Sequence, residues 1–172
     1  MTATTPGTVP LRELIDWLRE HQVDHEIHEH QTTYTARATA RAEGVSPRSF
    51  AKTLGVTAED GRSFLIVMDA TDHLDLSRGR RVLNASHLRL LREDELAELA
   101  PSCDVGAVPP VPLWRVPIYA DYGVRSDPEI SFAAGTHEHA VRVDREAWER
   151  AAGIIYADLA VPEDGRPLWA RS

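Results

Sequence analysis

The residues best suited to chemistry lie in two short segments, far apart along the chain. Lys52 interrupts a run typical of a buried strand, since Phe50, Leu54 and Val56 are apolar. A lysine on such a strand must pair, reach the surface or face a cavity, because burying a lone charge is very costly. The second segment is the loop 106–110, where glycine can expose backbone N–H groups and two prolines limit motion. A cation facing such a loop can bind an anion or polarise a carbonyl, so we predict a site.

Histidines form a second set of candidates. His137 could take part in proton transfer. Together with His25, His137 and His139, the pair His28 and His30 could instead hold a metal ion, because those two would face the same side of a strand. No carboxylate or cysteine stands at a recognised ligand spacing, so we expect no metal. Ordinary surface histidines and a catalytic His137 both stay open.

Other nucleophiles fit less well. The sequence has no Gly-x-Ser-x-Gly elbow, which argues against a serine hydrolase. Cys103 is the single cysteine, and we expect a buried structural thiol there rather than a nucleophile. A single cysteine also rules out an internal disulfide framework and is compatible with a reducing cytosol.

The charge balance limits the choice of partner. The 172 residues include 19 Lys and Arg against 27 Asp and Glu, a formal net charge of −8. Tight non-specific binding along a nucleic-acid backbone needs a basic face, which this balance argues against. A local basic pocket could still grip one end of a nucleic acid. Two clusters could form it or be only solvated helix surface: Arg78, Arg80 and Arg81, and Arg37, Arg41 and Arg48.

The composition, 42% hydrophobic and 27% charged, suits one globular domain. We expect a loose N-terminus at 1–9, a domain at 10–156 and a C-terminal tail at 157–172. No stretch approaches the ~20 apolar residues of a membrane span, and the N-terminus lacks the features of a signal peptide. We therefore expect a cytoplasmic protein with no membrane partner.

Apolar periodicity and turn residues predict an α+β fold, with helices packed over a sheet rich in antiparallel pairs. Gly44 stands where a helix C-terminal cap is expected, and the residues from Ala58 to Gly61 predict a hairpin. Helices are expected at 10–22, 35–43, 74–83, 92–99 and 145–151. Strands are expected at 25–30, 52–57, 64–68, 88–90, 116–120, 130–133 and 140–143, with loop from Ala157 onward.

Several motifs in order resemble the YbaK/prolyl-tRNA-synthetase-associated family of aminoacyl-tRNA deacylases, over roughly residues 10–155. The leading helix comes first, and the segments that follow are 50–54, 64–68, 74–76, 106–110, 116–121 and 130–135. The resemblance implies a single α+β domain with a mostly antiparallel, barrel-like sheet flanked by helices. It also implies hydrolysis of the ester between a wrong amino acid and the terminal ribose of tRNA, without a metal or other cofactor.

The resemblance assigns roles to individual residues. Lys52 matches the family lysine that positions the terminal nucleotide or the carbonyl, and Gly106 opens a Gly-x-x-x-Pro loop similar to an oxyanion cradle. His137 stands near a polar residue that many members carry beyond their late glycine. Contacts to substrate are expected from Thr53, Ala107, Val108, Pro109, Pro110, Asp121, Gly135 and Thr136.

The implied partner is the acceptor end of a mischarged tRNA, with an aminoacyl-tRNA synthetase as a further candidate. Where cysteine-specific members carry an aspartate, this chain has Ala140 or a neighbour, so the amino acid removed stays open. Two alternatives also stay open: an inactive module of the same fold that binds a tRNA end or a synthetase, and a histidine-rich metalloprotein. Asp121 could cap a turn instead, and Lys52 could be an edge-strand lysine whose stem covers apolar surface.

Overall fold

A computed structural model describes residues 9–162 of the chain. Its five α-helices are α1 (Arg12–Glu20), α2 (Ala36–Glu43), α3 (Leu76–Leu83), α4 (Glu93–Leu99) and α5 (Arg145–Ala152), and a 3₁₀ turn spans Tyr122–Ser126. In the described part of the chain, no helix has the length and apolar character needed to cross a membrane. The α+β prediction is confirmed.

The described residues contain ten strands, which form three sheets. The strands are β1 (His25–Glu29), β2 (Ala51–Ala58), β3 (Ser63–Asp69), β4 (Asp72–Leu74), β5 (Leu88–Leu90), β6 (Ile118–Asp121), β7 (Glu129–Ala133), β8 (His139–Asp144), β9 (Ile155–Ala157) and β10 (Ala160–Pro162). The largest sheet has the order β5-β2-β3-β6-β9, a second has β1-β8-β7, and β10 pairs with β4. Antiparallel pairs predominate, and only β3-β6 and β6-β9 run parallel among the named strands.

The central strands β2 and β3 are buried on both faces. Leu65 and Val67 face a core that includes the apolar side of α1 and Trp148 of α5. Ile66 and Met68 face the opposite way, toward a second core closed by α3 and β10. Side chains alternate across a strand, so an uninterrupted apolar run is what a strand between two cores requires.

The start of β2 lies where the two larger sheets meet. A parallel bridge joins Phe50 to Ser131 of β7, and the Ser131 N–H donates to the Ser49 carbonyl at 3.0 Å. Strand β5 pairs only with the far end of β2, at 56–58. Residues 51–55 therefore have one edge that no strand within 9–162 covers, and Lys52 lies in this stretch.

Two parts of the structure differ from the expectations. The helix predicted from 74 begins at Leu76, because residues 72–74 form β4. The Asp75 carboxylate caps this helix by accepting hydrogen bonds from the Ser77 and Arg78 N–H groups. The tail predicted as loop contains β10 and the end of β9.

Those late strands form because Asp121 accepts hydrogen bonds from the N–H groups of Leu159 and Ala160, which anchors the chain beside β4. Of the terminal segments expected to be loose, residues 1–8 and 163–172 lie outside the described residues.

Candidate functional site

A groove of about 340 Å³ lies along the uncovered edge of β2. Its walls come from four parts of the chain: the segment 30–39 that leads into α2, the loop at 106–108, the segment 133–139, and leucines from 90 to 96. The Gly55 carbonyl accepts from the Leu91 N–H at 2.9 Å, which closes one end. Because alternate residues of a strand direct their backbone groups to the same side, the N–H and C=O of Thr53 face the groove.

Lys52 is half-buried and lines this groove. It is the only lysine in the chain, and all the other Lys and Arg residues are arginines. Lysine differs from arginine in carrying a compact ammonium with freely rotating donors. Among residues 9–162, no aspartate, glutamate or arginine lines the groove, and Lys52 is the one lysine there. Such a groove suits an anion or the oxygen of a polarised carbonyl.

Backbone hydrogen bonds join the glycine–proline loop at 106–110 to the segment 133–139. The Gly135 N–H donates to the Ala107 carbonyl at 3.0 Å, and the Asp104 N–H donates to the Gly135 carbonyl at 2.9 Å. Gly106 has φ +88°, and a Cβ added there would meet nothing closer than His137 Cε1 at 3.9 Å. Gly106 and the His137 ring are therefore neighbours at the groove, although 31 positions separate them in the sequence.

One detail of the expected cradle changes. The Ala107 N–H donates to the Asp104 carbonyl at 3.0 Å and is not available to a ligand. The N–H groups of Gly106 and Val108 donate to no other described residue. Both residues line the groove, so Gly106 and Val108, rather than Ala107, are the candidates for amide donors in this loop.

Four of the expected contact residues do not line the groove. Pro109 and Pro110 are buried behind it, and the Pro110 carbonyl accepts from Trp148 Nε1 at 2.9 Å. Gly135 lies against Leu11. Asp121 is 0% exposed, and its carboxylate accepts from three backbone N–H groups, so it holds turns together.

The segment after Gly135 brings two histidines to the groove. The His137 N–H donates to Asp104 Oδ2 at 3.0 Å, which orients its backbone. His139 is buried, and its Nδ1 lies 2.7 Å from Thr136 Oγ1. Burial lowers the pKa of His139 below its usual value, because the charged ring would lose water. His139 is therefore a neutral hydrogen-bonding group at neutral pH.

Sequence reasoning missed the wall formed by residues 30–39. His30 Nδ1 lies 2.7 Å from the Gln31 carbonyl, which can only accept, so the proton is on Nδ1. His30 Nε2 is then an acceptor, and it is the only buried side-chain nitrogen or oxygen without a partner among residues 9–162. Thr33 and Thr39, whose hydroxyls lie 2.6 Å apart, complete this wall. The feature of the sequence that could have indicated this wall is Thr35, the N-terminal cap of α2. It places the residues before it at the start of a helix.

The histidines do not assemble as the metal reading required. His28 Nδ1 lies 2.8 Å from Glu43 Oε1, whereas His30 lines the groove. In the part of the chain that the structure describes, no group of three or more His, Cys, Asp or Glu side chains is placed to hold a metal ion. Burial raises the pKa of Cys103 to about 12, so this thiol is a poor nucleophile at neutral pH.

The groove thus combines a compact cation, a fixed loop that can offer amide donors, and imidazoles. The closed end of the groove is apolar, since Leu54, Leu91 and Leu96 line it, and this end forms the floor. A group of this kind can stabilise a developing oxyanion, while the apolar floor receives a small side chain.

A family model for the aminoacyl-tRNA editing domain matches residues 30–151. Among curated proteins, the chain is 33% identical over 135 residues to the proline–tRNA ligase of Shouchella clausii and 29% identical over 134 residues to that of Halalkalibacterium halodurans. Each match covers 77% of this chain and 23% of the ligase, so the chain spans about a quarter of the length of these relatives.

Solved structures give the same fold. A proposed trans-editing enzyme for prolyl-tRNA synthetase superposes with a TM-score of 0.77 at 26% identity, covering 91% of this chain and 98% of the other. A hypothetical protein superposes with a TM-score of 0.80 at 23% identity, covering 87% and 99%. The latter identity supports the fold alone.

Proposed function

The chain belongs to the aminoacyl-tRNA editing domain family, and on that basis we propose that it hydrolyses the ester bond of a mischarged aminoacyl-tRNA. It would act in trans, as a separate deacylase in translation quality control in the cytoplasm. The similarity to proline–tRNA ligases and to a proposed prolyl trans-editing enzyme favours a tRNA for proline as the substrate. It also favours a prolyl-tRNA synthetase as the partner.

One observation carries the proposal: Lys52, the Gly106 loop and His137 line a single groove. Ester hydrolysis needs a sink for the developing oxyanion and a path for one proton. A cation and amide donors supply the sink.

The reaction would run as follows. The ester carbonyl oxygen lies toward Lys52 and the Gly106 and Val108 N–H groups, which stabilise it as water attacks the carbonyl carbon. The new C–O bond forms, the bond to the ribose oxygen breaks, and the ribose oxygen takes a proton. The proton of the attacking water passes to His137, which returns it to the ribose oxygen, or to the ribose hydroxyl beside the ester, which gives its own proton to that oxygen. Thr53 and Thr136 line the same groove and would contact the substrate.

A panel of mischarged tRNAs tests the activity, and it should include tRNA for proline carrying alanine, serine, cysteine or threonine. We expect release of at least one of these amino acids and slow release of proline. No deacylation of any species would overturn the proposal.

Lys52 provides the sharper test. Lys52→Ala should lower deacylation by about 100-fold or more, as loss of an oxyanion donor does, and change the free energy of unfolding by no more than about 1 kcal/mol. Lys52→Arg should restore the charge without the compact geometry and recover only part of the activity. Arg12→Ala, which removes a cation with 91% of its side chain exposed and away from the groove, is the matched control and should retain activity. If Lys52→Ala unfolds the protein, the lysine is structural.

The net charge of −8 favours one second candidate, an inactive module that binds a tRNA end or a synthetase. An enzyme that grips tRNA alone is expected to be more basic. Retention of a synthetase in a binding assay, together with inactivity on the whole panel, would support this candidate and exclude the deacylase.

A further inference from the structure

We infer that Tyr34 is a stacking platform for the unpaired terminal base of the nucleic acid whose acyl end enters the groove. The inference rests on the proposed function for the identity of the ligand. It adds a recognition surface at the rim of the groove, separate from the residues that act on the ester.

Tyr34 is exposed in a way that folding does not explain. Its side chain lines the groove, yet the residue is 75% exposed, more than any other large apolar or aromatic residue among those described. The backbone on both sides is held firmly. The Thr33 N–H donates to the His137 carbonyl at 3.0 Å, and Thr35 caps α2 by accepting from the Ala38 N–H at 3.0 Å. A fixed backbone therefore presents an aromatic ring to solvent.

The ring geometry leaves room for a base. The centroids of the Tyr34 and His137 rings lie 4.9 Å apart at an interplanar angle of 56°, so the two rings are tilted rather than stacked face to face. His137 thus supports the ring and does not cover it. Tyr122 provides a contrast: it is 44% exposed and stacks nearly parallel to Tyr156, at 12°, so its ring already has an aromatic partner.

The surroundings favour a nucleobase over a peptide or lipid. Bases at single-stranded ends are bound chiefly by stacking on aromatic rings beside a cation that neutralises the backbone. Tyr34 lies at the rim of the groove that holds Lys52 and three histidines. The apolar floor takes the small acyl group, so the base attached to the same ribose must lie farther out, where Tyr34 is.

Fluorescence of 2-aminopurine tests this contact without requiring hydrolysis. The probe is an uncharged acceptor-stem hairpin whose terminal base is 2-aminopurine, titrated with the full chain. Wild-type protein should quench the probe on binding. Tyr34→Phe should quench it equally, because the ring is kept. Tyr34→Leu should weaken binding by roughly 5- to 100-fold and abolish quenching. Tyr122→Leu is the matched control and should behave as wild type.

The outcomes separate this inference from the proposed hydrolysis. Quenching that depends on an aromatic residue at position 34 supports the platform even if no mischarged tRNA is deacylated. Equal affinity and equal quenching for wild type and Tyr34→Leu overturn the platform even if the protein is an active deacylase. An equal loss in Tyr34→Phe also overturns it, since the hydroxyl rather than the ring would then make the contact.

Discussion

Three glycines with nearly the same backbone conformation allow strain, packing and function to be separated. Gly61, Gly106 and Gly135 have φ of +86°, +88° and +88°. An alanine in this left-handed region costs about 1 to 2 kcal/mol, because its Cβ approaches the following carbonyl oxygen. The cost of strain is therefore similar at all three positions, and any difference in stability between the variants must come from the space around the added Cβ.

That space differs sharply. A Cβ at Gly61 has no atom within 4 Å, and at Gly106 the nearest is His137 Cε1 at 3.9 Å. At Gly135 the added atom would lie 2.5 Å from Leu11 Cβ, which cannot rotate away because it is attached directly to the backbone. The Leu11 N–H also donates to the Ala134 carbonyl, so the two segments are tied together. Overpacking of this kind adds about 1 to 3 kcal/mol, which gives about 2 to 5 kcal/mol for Gly135→Ala.

Urea unfolding of the three variants measures these costs. Gly61→Ala and Gly106→Ala should each lose about 1 to 2 kcal/mol, and Gly135→Ala clearly more. Deacylation of a reactive mischarged tRNA should be near wild type in Gly61→Ala and reduced at least about tenfold in Gly106→Ala, whose methyl group enters the cradle. Equal activity in these two variants would refute the assignment of the Gly106 loop to the site. Equal stability loss at Gly106 and Gly135 would refute the packing argument.

Three further outcomes follow from buried polar groups. Because burial lowers the pKa of His139, the unfolded chain binds a proton that the folded protein does not, so stability should fall as pH drops below about 6.5. Unfolding midpoints at pH about 7.5 and about 5.5 should show this loss, and His139→Gln should lessen it. His30→Phe removes the unpaired Nε2 together with the exposed Nδ1 hydrogen bond to the Gln31 carbonyl, so it should lower the free energy of unfolding by no more than about 1 kcal/mol; a loss above about 2 kcal/mol would mean that Nε2 has a partner. Asp121→Asn should cost about 2 to 4 kcal/mol in urea unfolding without changing KM, whereas a substrate-binding Asp121 would change KM first.

Local sequence patterns determined most of the framework. The uninterrupted apolar run in β3 and the Ala58–Gly61 hairpin fix the central pair of strands, because side-chain alternation and turn residues act over a few positions. Gly44 ends α2 in the left-handed conformation, as the glycine predicted. The late strands were missed because their stability comes from Asp121, which is distant in sequence and gives no local signal.

The sequence also singled out Lys52 and the glycine–proline loop, because a charge in an apolar run and a Gly-Pro loop are unusual in themselves. Only the tertiary structure decided what surrounds them. It shows that the Ala107 N–H forms a hydrogen bond within the loop and that Asp121 is wholly buried. It also shows that the segment from His30 to Thr39 forms one wall of the groove. These facts depend on contacts between residues far apart in the chain. Such contacts arise only when the sheets meet at Phe50 and Ser131, and no periodicity of the sequence encodes them.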